Sequence, residues 1–380
     1  QTTSDKLNVQ NIYSDLNLNL TTKNRESDNF SFQNLTSQQQ QYSNQHKQYQ
    51  KLCEIGEGSY GKVLQVKHKE TNQQYAMKII RKDRVTTNQR IMKSTLLEKN
   101  ILLKSNHPFI IKLYQSFQSQ FKLYLVIEYM PNGDIYSILQ RVRVFNESTA
   151  KFIIVQVILG IEYLHEKIGV MYRDLKPENV LIDELGYIKL ADFGLAKEIG
   201  EENISSKETA PLGTPQYLAP EIVLRKPHKQ NVDFWTIGIF LYEMIAGRPP
   251  FCAKGQQNLY KQIIQNNVQF TSNFSFEAQD FIKNLLQSNP EMRIGAQGFD
   301  SIKKHAFFFN INWKQIINKE SKSPLLQYTN QLKIIKKQQR EQSIYESPKS
   351  TNDIINFPLF SYDPKQSNQI QEQLQFDKNY

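Results

Sequence analysis

The run Tyr172-Arg173-Asp174-Leu175-Lys176-Pro177-Glu178-Asn179 constrains this chain more than any other segment. It sets an acid, an ammonium and a carboxamide in one short loop. That loop lies just after the most apolar stretch of the chain, residues 152–164, and directly before the strand-like Val180-Leu181-Ile182. The apolar stretch carries Gln156 and Glu162 and is too short to span a bilayer, so it reads as a buried helix. A second acid, Asp192 of Asp192-Phe193-Gly194, follows the strand-like Ile188-Lys189-Leu190. A polar loop with a capping aspartate accounts for either motif alone, but not for both in this order.

The periodicity around these loops changes along the chain. Val63, Val66, the run Tyr75-Ala76-Met77-Lys78-Ile79-Ile80 and the run Leu123-Tyr124-Leu125-Val126-Ile127 have strand character. Between them, Leu96, Leu97, Ile101 and Leu102 recur at helical spacing within residues 94–104. After Pro131-Asn132-Gly133 the pattern is mainly helical, at residues 153–164, 232–245 and 278–286. The reading is an α+β chain: a small antiparallel-sheet lobe with one main helix, then a larger, mainly helical lobe, with a cleft between them. Residues 1–48 are rich in Gln, Asn, Ser and Thr and are expected to be disordered. Beyond Phe308 the chain turns polar, with a basic stretch at 333–340 and one apolar island, Phe357-Pro358-Leu359-Phe360. No internal repeat is evident.

Composition narrows the class. Lys+Arg 47 against Asp+Glu 37 gives +10, but the charges are scattered, so nucleic acid is not an expected partner. The two cysteines, Cys53 and Cys252, have no metal-type spacing and argue against a disulfide framework, which fits a cytoplasmic or nuclear setting. No transmembrane segment is expected, and no charged-then-apolar leader opens the sequence.

The polar loops make a specific chemistry available. In Gly56-Glu57-Gly58-Ser59-Tyr60-Gly61-Lys62-Val63 the glycines let backbone amides approach a polyphosphate. A strand over residues 62–67 follows, where a dinucleotide-binding loop requires a helix. Lys78, under such a hairpin, suits neutralisation of α- and β-phosphates, and Glu98 on the next helix is placed to hold it. Asp174 suits orienting an attacking hydroxyl and accepting its proton, and Lys176 suits screening a γ-phosphate. The Asn179 amide oxygen and the Asp192 carboxylate are oxygen ligands of the kind that magnesium takes.

In this set of motifs, residues 49–308 resemble the catalytic domain of the eukaryotic protein kinase superfamily, with the small lobe at 49–130 and the large lobe at 131–308. The resemblance implies a Ser/Thr protein kinase using ATP with Mg2+, or Mn2+ as the alternative ion. It places Ile55, Val63, Ala76, Met130 and Leu181 around the adenine, the Glu128 and Met130 backbones at its edge and Ile127 behind it. Asp134 and Glu178 border the same nucleotide site. Glu221 of Ala219-Pro220-Glu221 would pair with Arg293, and Asp233 would support the catalytic loop. Leu102, Leu113, Tyr172 and Phe193 match the stacked apolar spine of active members.

Tyr172, the run from Gly213 to Glu221, and Lys176 together with Thr214 are similar to the AGC group, which includes protein kinase B, its serum-regulated relatives and the ribosomal-protein kinases. By that resemblance Asp134, Glu178 and Glu243 would read arginines two and three residues before the acceptor Ser or Thr, Asp134 being shorter than the usual Glu. The implied partners are proteins with basic Ser/Thr sites and an upstream activating kinase. Phe357-Pro358-Leu359-Phe360-Ser361-Tyr362, within a tail at 309–380, looks like the hydrophobic motif that this group docks on its own small lobe, with Ser361 as a regulatory phosphosite. Ala210 occupies the usual activation-loop acceptor position, leaving Thr209, Ser205 or Ser206 as substitutes. No acidic-aromatic tail motif for crossing the ATP cleft is found. The rival reading, a pseudokinase or scaffold, predicts loss of Lys78, Asp174, Asn179 or Asp192, and all four are present.

Overall fold

The computed structural model describes residues 45–58, 61–200, 213–329, 357 and 360–363. Ser59, Tyr60, Ser205, Ser206, Thr209, Ala210, Pro358, Leu359 and the basic stretch at 333–340 lie outside the described residues.

The small lobe is a five-stranded antiparallel sheet in the order β1-β2-β3-β5-β4, from β1 (Tyr49–Gly58), β2 (Gly61–His68), β3 (Gln74–Arg81), β4 (Leu113–Gln118) and β5 (Lys122–Glu128). The β1–β2 hairpin closes with Gly58 opposite Gly61. A Cβ on Gly61 would collide with the Ile79 carbonyl, whereas one on Gly56 would rest 3.7 Å from Val63. Gly61 is therefore required for the close approach of β2 to β3, besides any role toward phosphate.

Between β3 and β4 run a short helix, α1 (Lys82–Thr86), and α2 (Gln89–Lys104). Asn88 caps α2 by accepting from the Arg90 amide at 2.9 Å. Met92, Thr95, Leu96, Glu98, Lys99, Ile101 and Leu102 of α2 are buried, a face repeating every three to four residues against the sheet. One carboxylate, Glu98, is thereby carried into that face.

The large lobe is built on α3 (Ile135–Val142), α4 (Glu147–Tyr163), α5 (Pro220–Val223), α6 (Asn231–Ala246), α7 (Gln256–Gln265), α8 (Phe276–Leu285) and α9 (Phe299–Lys303). Two small sheets carry the loops: β6 (Val170–Met171) pairs β9 (Lys197–Glu198), and β7 (Val180–Ile182) pairs β8 (Ile188–Leu190). Helices α4 and α6 are apolar nearly all round because neighbours cover every side of them. Gly160 in α4 leaves room for β8, since a Cβ there would lie 2.9 Å from Leu190 Cδ1. α4 begins at Glu147, ahead of the expected 153, because Asn146 accepts from the Thr149 amide at 2.8 Å and caps it. It runs into one π-helical turn, Leu164–Ile168, before Gly169 reverses the chain at φ 79°.

Two boundaries differ from the sequence reading. Within the segment expected to be disordered, Gln45–Gln48 form a 3-10 turn with Gln45 buried and His46 stacked on Tyr124 at 5.7 Å. Past Phe308, where composition turns polar, the chain stays packed through α10 (Trp313–Ile317) to residue 329. A few anchors suffice there: Ile316 and Leu325 are buried, Lys319 Nζ lies 2.6 Å from Asp183, and Ser323 Oγ donates to the Gly186 carbonyl at 2.6 Å. Among the described residues no helix is long and apolar enough to cross a membrane.

Candidate active site

Five elements converge on the cleft. Lys78 sits in β3, paired across its backbone with Val63 of β2 and Leu125 of β5. Its Nζ lies 2.6 Å from Glu98 Oε1 on α2 and 3.1 Å from Asp192 Oδ1 in the loop after β8. Burial opposes the charge on Lys78, but the Glu98 and Asp192 carboxylates outweigh it and hold its pKa above the ordinary value. Lys78 in turn pulls Asp192 below the usual carboxylate value against the effect of burial. For Glu98 burial is the larger effect and raises its pKa against the pull of Lys78. The small lobe and the Asp192 loop are thus joined through one ammonium.

Asp174 stands opposite. Lys176 Nζ lies 3.0 and 2.9 Å from its two carboxylate oxygens, and Asn179 Nδ2 donates to its carbonyl at 2.8 Å and its Oδ2 at 2.7 Å. Burial raises the Asp174 pKa, with Lys176 and Asn179 pulling the other way. Because Asn179 donates through nitrogen, its Oδ1 remains as an acceptor for a cation. Among the described residues no cluster of three or more His, Cys, Asp or Glu could hold a metal by itself. A divalent ion held by Asn179 and Asp192 would therefore complete its shell with phosphate and water, which suits magnesium's preference for keeping such ligands.

The loop carrying Asp174 is fixed from α6. Asp233, fully buried, accepts from the Tyr172 amide and the Arg173 amide at 2.8 Å each and lies 2.7 Å from His165 Nε2 in the π-turn. Arg173 and Asp192 both adopt left-handed backbone, φ 64° and 57°. His165 was not among the residues singled out from sequence; a lone histidine beside an apolar stretch carries no local signal. Tyr172 packs on Phe193 at 5.5 Å, and Leu102 and Leu113 are buried in the same core cluster.

The residues expected around the adenine differ in exposure. Ala76 pairs with Ile127, Val63 is half-buried, Met130 is buried, Leu181 is half-buried and Ile55 is exposed. Lys62 of the glycine-rich hairpin reaches back to Glu54 at 3.0 Å, and Glu57 is exposed.

The acids expected to read a basic substrate divide. Asp134 Oδ1 accepts from the Ser137 amide at 2.6 Å, so it caps α3. Glu243 accepts from the Tyr217 hydroxyl; burial first and nearby Glu178 next raise its pKa, against the Tyr217 hydrogen bond. Glu178 and Glu243 therefore form an acidic pair, with Asp134 a partly committed third. Thr214 lines a small cavity with Asp174, Arg173 and Tyr217. Arg293 holds Glu221 by two 2.7 Å hydrogen bonds.

The described tail residues dock at the β4 edge of the small-lobe sheet. Phe357 and Phe360 are buried, and Tyr362 pairs with Ser116 at the edge of β4 as a short added strand. Gln118 clamps the Phe357 backbone from both sides, Lys82 at the start of α1 lies 5.7 Å from the Phe357 ring centre, and Gln115 reaches Asp363 at 3.1 Å. Gln115, Gln118 and Asp363 carry no signal in the sequence as tail contacts.

Residues 49–308 match the protein kinase domain model. This chain belongs to the protein kinase domain family. It is 42 % identical over 278 residues to serine/threonine-protein kinase sgk-1 of Caenorhabditis elegans, covering 72 % of this chain and 59 % of that protein. It is 41 % identical over 276 residues to serine/threonine-protein kinase gad8 of Schizosaccharomyces pombe, covering 73 % and 48 %. Against ribosomal protein S6 kinase alpha-6 of Mus musculus it is 38 % identical over 280 residues, covering 73 % and 36 %. These relatives agree with the resemblance to the AGC group. The kinase domain and its flanks thus span between about a third and three fifths of the length of these relatives.

Proposed function

We propose that this chain is an active serine/threonine protein kinase, transferring the γ-phosphate of MgATP to Ser or Thr of proteins with basic residues ahead of the acceptor. The observation that carries the reading is the bridging of Glu98 and Asp192 by Lys78, at 2.6 and 3.1 Å, across from Asp174. Lys78, held by Glu98, binds the α- and β-phosphates. Asp174 orients the acceptor hydroxyl and takes its proton, while Lys176, at the same carboxylate, screens charge gathering on the transferred group. Asn179 and Asp192 would hold the magnesium ion, which would supply neutralisation of phosphate charge. Thr214 beside Asp174 favours a Ser/Thr acceptor.

Glu178 and Glu243 supply the carboxylates for a substrate arginine, a charge-assisted, fork-shaped contact. Regulation follows the tail, with Ser361 as the site for an upstream kinase; Thr209 is the second candidate. The free cysteines Cys53 and Cys252 suit a cytoplasmic setting with access to the nucleus. Radiolabel transfer from MgATP to an arrayed serine-peptide library tests the assignment. The expected result is magnesium-dependent incorporation favouring arginine two and three residues before the acceptor. No incorporation overturns the catalytic reading, and a proline-directed or acidic preference overturns the substrate reading.

A further inference from the structure

β8 carries a lysine where its neighbours Ile188 and Leu190 are fully buried aliphatics. The Lys189 side chain is itself only 9 % exposed, and its Nζ lies 2.9 Å from Glu128 Oε2 at the end of β5. No hydrogen bond of good geometry reaches that oxygen among the described residues, so the attraction is one of charge on charge. The ammonium also approaches the Ile110 carbonyl at 3.5 Å. His107, which burial and then Lys189 hold down to about 4, is neutral near pH 7 and does not replace Lys189 as the cation.

Both partners stand where the nucleotide's two ends are positioned. Glu128 closes β5 opposite Tyr75, next to Ala76, and begins the backbone segment that runs to Met130 at the adenine edge. Lys189 pairs directly with Leu181, the adenine-floor residue of β7, and its strand leads within a few residues to Asp192. Leu181 is in turn bridged to Asp134, just after that segment from Glu128 to Met130, the hinge between the lobes. A closed circuit runs from Glu128 through the hinge to Asp134, Leu181 and Lys189, and back through the ion pair.

We propose that Lys189 is a positioning residue for the nucleotide: its ion pair with Glu128 fixes the hinge against β8 and so sets the distance between the adenine edge and the phosphate-side carboxylate Asp192. This rests on the kinase reading of the same cleft. Removing one partner leaves a largely enclosed charge unpaired and lets the hinge shift, whereas removing both leaves no orphan charge.

The test uses the full chain as wild type, Lys189→Met, Glu128→Gln and the double variant, with fluorescent ADP plus magnesium as the binding probe. ATP and peptide KM and a thermal melt are measured on the same preparations. Lys189→Met is expected to weaken ADP binding about fivefold or more and to raise the KM for ATP but not for peptide. The double variant is expected to bind better than the product of the two single losses. Lys189→Arg, which keeps the charge, is expected to retain affinity, and with Glu128→Gln it carries the test if Lys189→Met fails to fold. Unchanged ADP affinity in Lys189→Met with an intact melt overturns the proposal. So does a strictly multiplicative double variant, or a loss confined to peptide KM. If Lys189→Met does not fold, loss of affinity in Lys189→Arg or its retention in Glu128→Gln overturns it instead. Wild type that binds ADP but phosphorylates no peptide refutes the transfer reaction alone, while wild type that binds no ADP overturns both.

Discussion

Replacing Phe357 and Phe360 together by alanine removes the apolar hold of the tail on the small lobe. Both rings are essentially fully enclosed. Each is worth about 1.5–3 kcal/mol of burial, so roughly 3–6 kcal/mol together. Hydrogen bonds add to this: Ser116 and Tyr362 exchange two at 2.9 and 2.6 Å, Ser116 Oγ donates to the Phe360 carbonyl at 2.6 Å, and Gln118 and Gln115 make the rest. At about 0.5–1.5 kcal/mol net each they contribute on the order of 3–9 kcal/mol. Ordering the backbone of the five described tail residues, Phe357 and 360–363, costs about 1–2 kcal/mol each, roughly 5–10 kcal/mol, and fixing their side chains adds to that. The two sides nearly cancel, so the docked tail is marginal, and losing both rings shifts it to the undocked state. Lys82 over Phe357 begins the helical segment that leads to α2, so undocking loosens the helix that carries Glu98 to Lys78. The double variant should lose kcat by about fivefold or more, and the Ser116 amide should exchange faster with deuterium. Wild-type activity with unchanged exchange at Ser116 would refute the coupling. Ser361 Oγ is enclosed in the docked tail with no hydrogen-bond partner among the described residues. Ser361→Ala should therefore leave docking of the unphosphorylated chain intact, and an upstream kinase should phosphorylate Ser361 faster in the double Phe variant.

Other expectations follow from single contacts. Asp174→Asn should cut phosphotransfer by about a hundredfold or more while ADP binding and the melt hold, because the carboxylate addresses the acceptor hydroxyl; full activity in peptide assays would contradict this. Lowering pH protonates Asp174 and removes the proton acceptor. Since burial raises its pKa, the acid limb of kcat/KM should lie above about 3.9, the value for a free aspartate, and a limb at or below that value would contradict the burial effect. Arg293→Met strands the buried Glu221 carboxylate, costing about 3–5 kcal/mol and roughly 10 °C in melting temperature, which calorimetry would measure. Asp233→Asn sets an amide donor against the Tyr172 or Arg173 N–H; it should depress kcat more than nucleotide affinity, and equal losses in both would count against a specific role in the catalytic loop.

Much of the fold was legible because the small-lobe strands are short runs of aliphatic and aromatic residues, α2 carries apolar residues at helical spacing, and α6 is a long, almost wholly apolar run. The catalytic loops were legible because their polar residues are adjacent in sequence: Asp174, Lys176 and Asn179 meet in space partly because a 3-10 turn folds Pro177–Asn179 back on Asp174. What escaped reading depends on residues far apart. Asp134 looked like a substrate acid and is also a helix cap, since one carboxylate serves either role and only the backbone of Ser137 decides. The packed segment after Phe308 was hidden by its polar composition, because Ile316, Ser323 and Leu325 are isolated anchors on a surface supplied by the large lobe. Gln118, a neutral strand residue by sequence, becomes a tail clamp only when Phe357 arrives from 239 positions away.

The geometry at Asp174 is held from the core. Arg173 and Asp192 flank the reaction site in left-handed backbone, a conformation costing on the order of 1–3 kcal/mol for each such residue. Neither position is a glycine; at Asp192 the Gly194 amide donates to Oδ1 at 3.3 Å, while Arg173 is held by residues distant in sequence. The compensation comes from Asp233, whose carboxylate takes two backbone N–H groups of the strained turn and sits against His165 with no exposure to water. Hydrogen bonds to a charged acceptor are worth about 1.5–3 kcal/mol each, enough to hold one left-handed residue with some margin. At Asp192 the ion pair with Lys78 plays the matching part, but there the partner belongs to the small lobe. One flank of the site is therefore fixed permanently by α6, and the other only while α2 keeps Glu98 against Lys78. On the proposed function, this asymmetry makes the small lobe, and the tail braced against it, the place where activity can be set without disturbing Asp174.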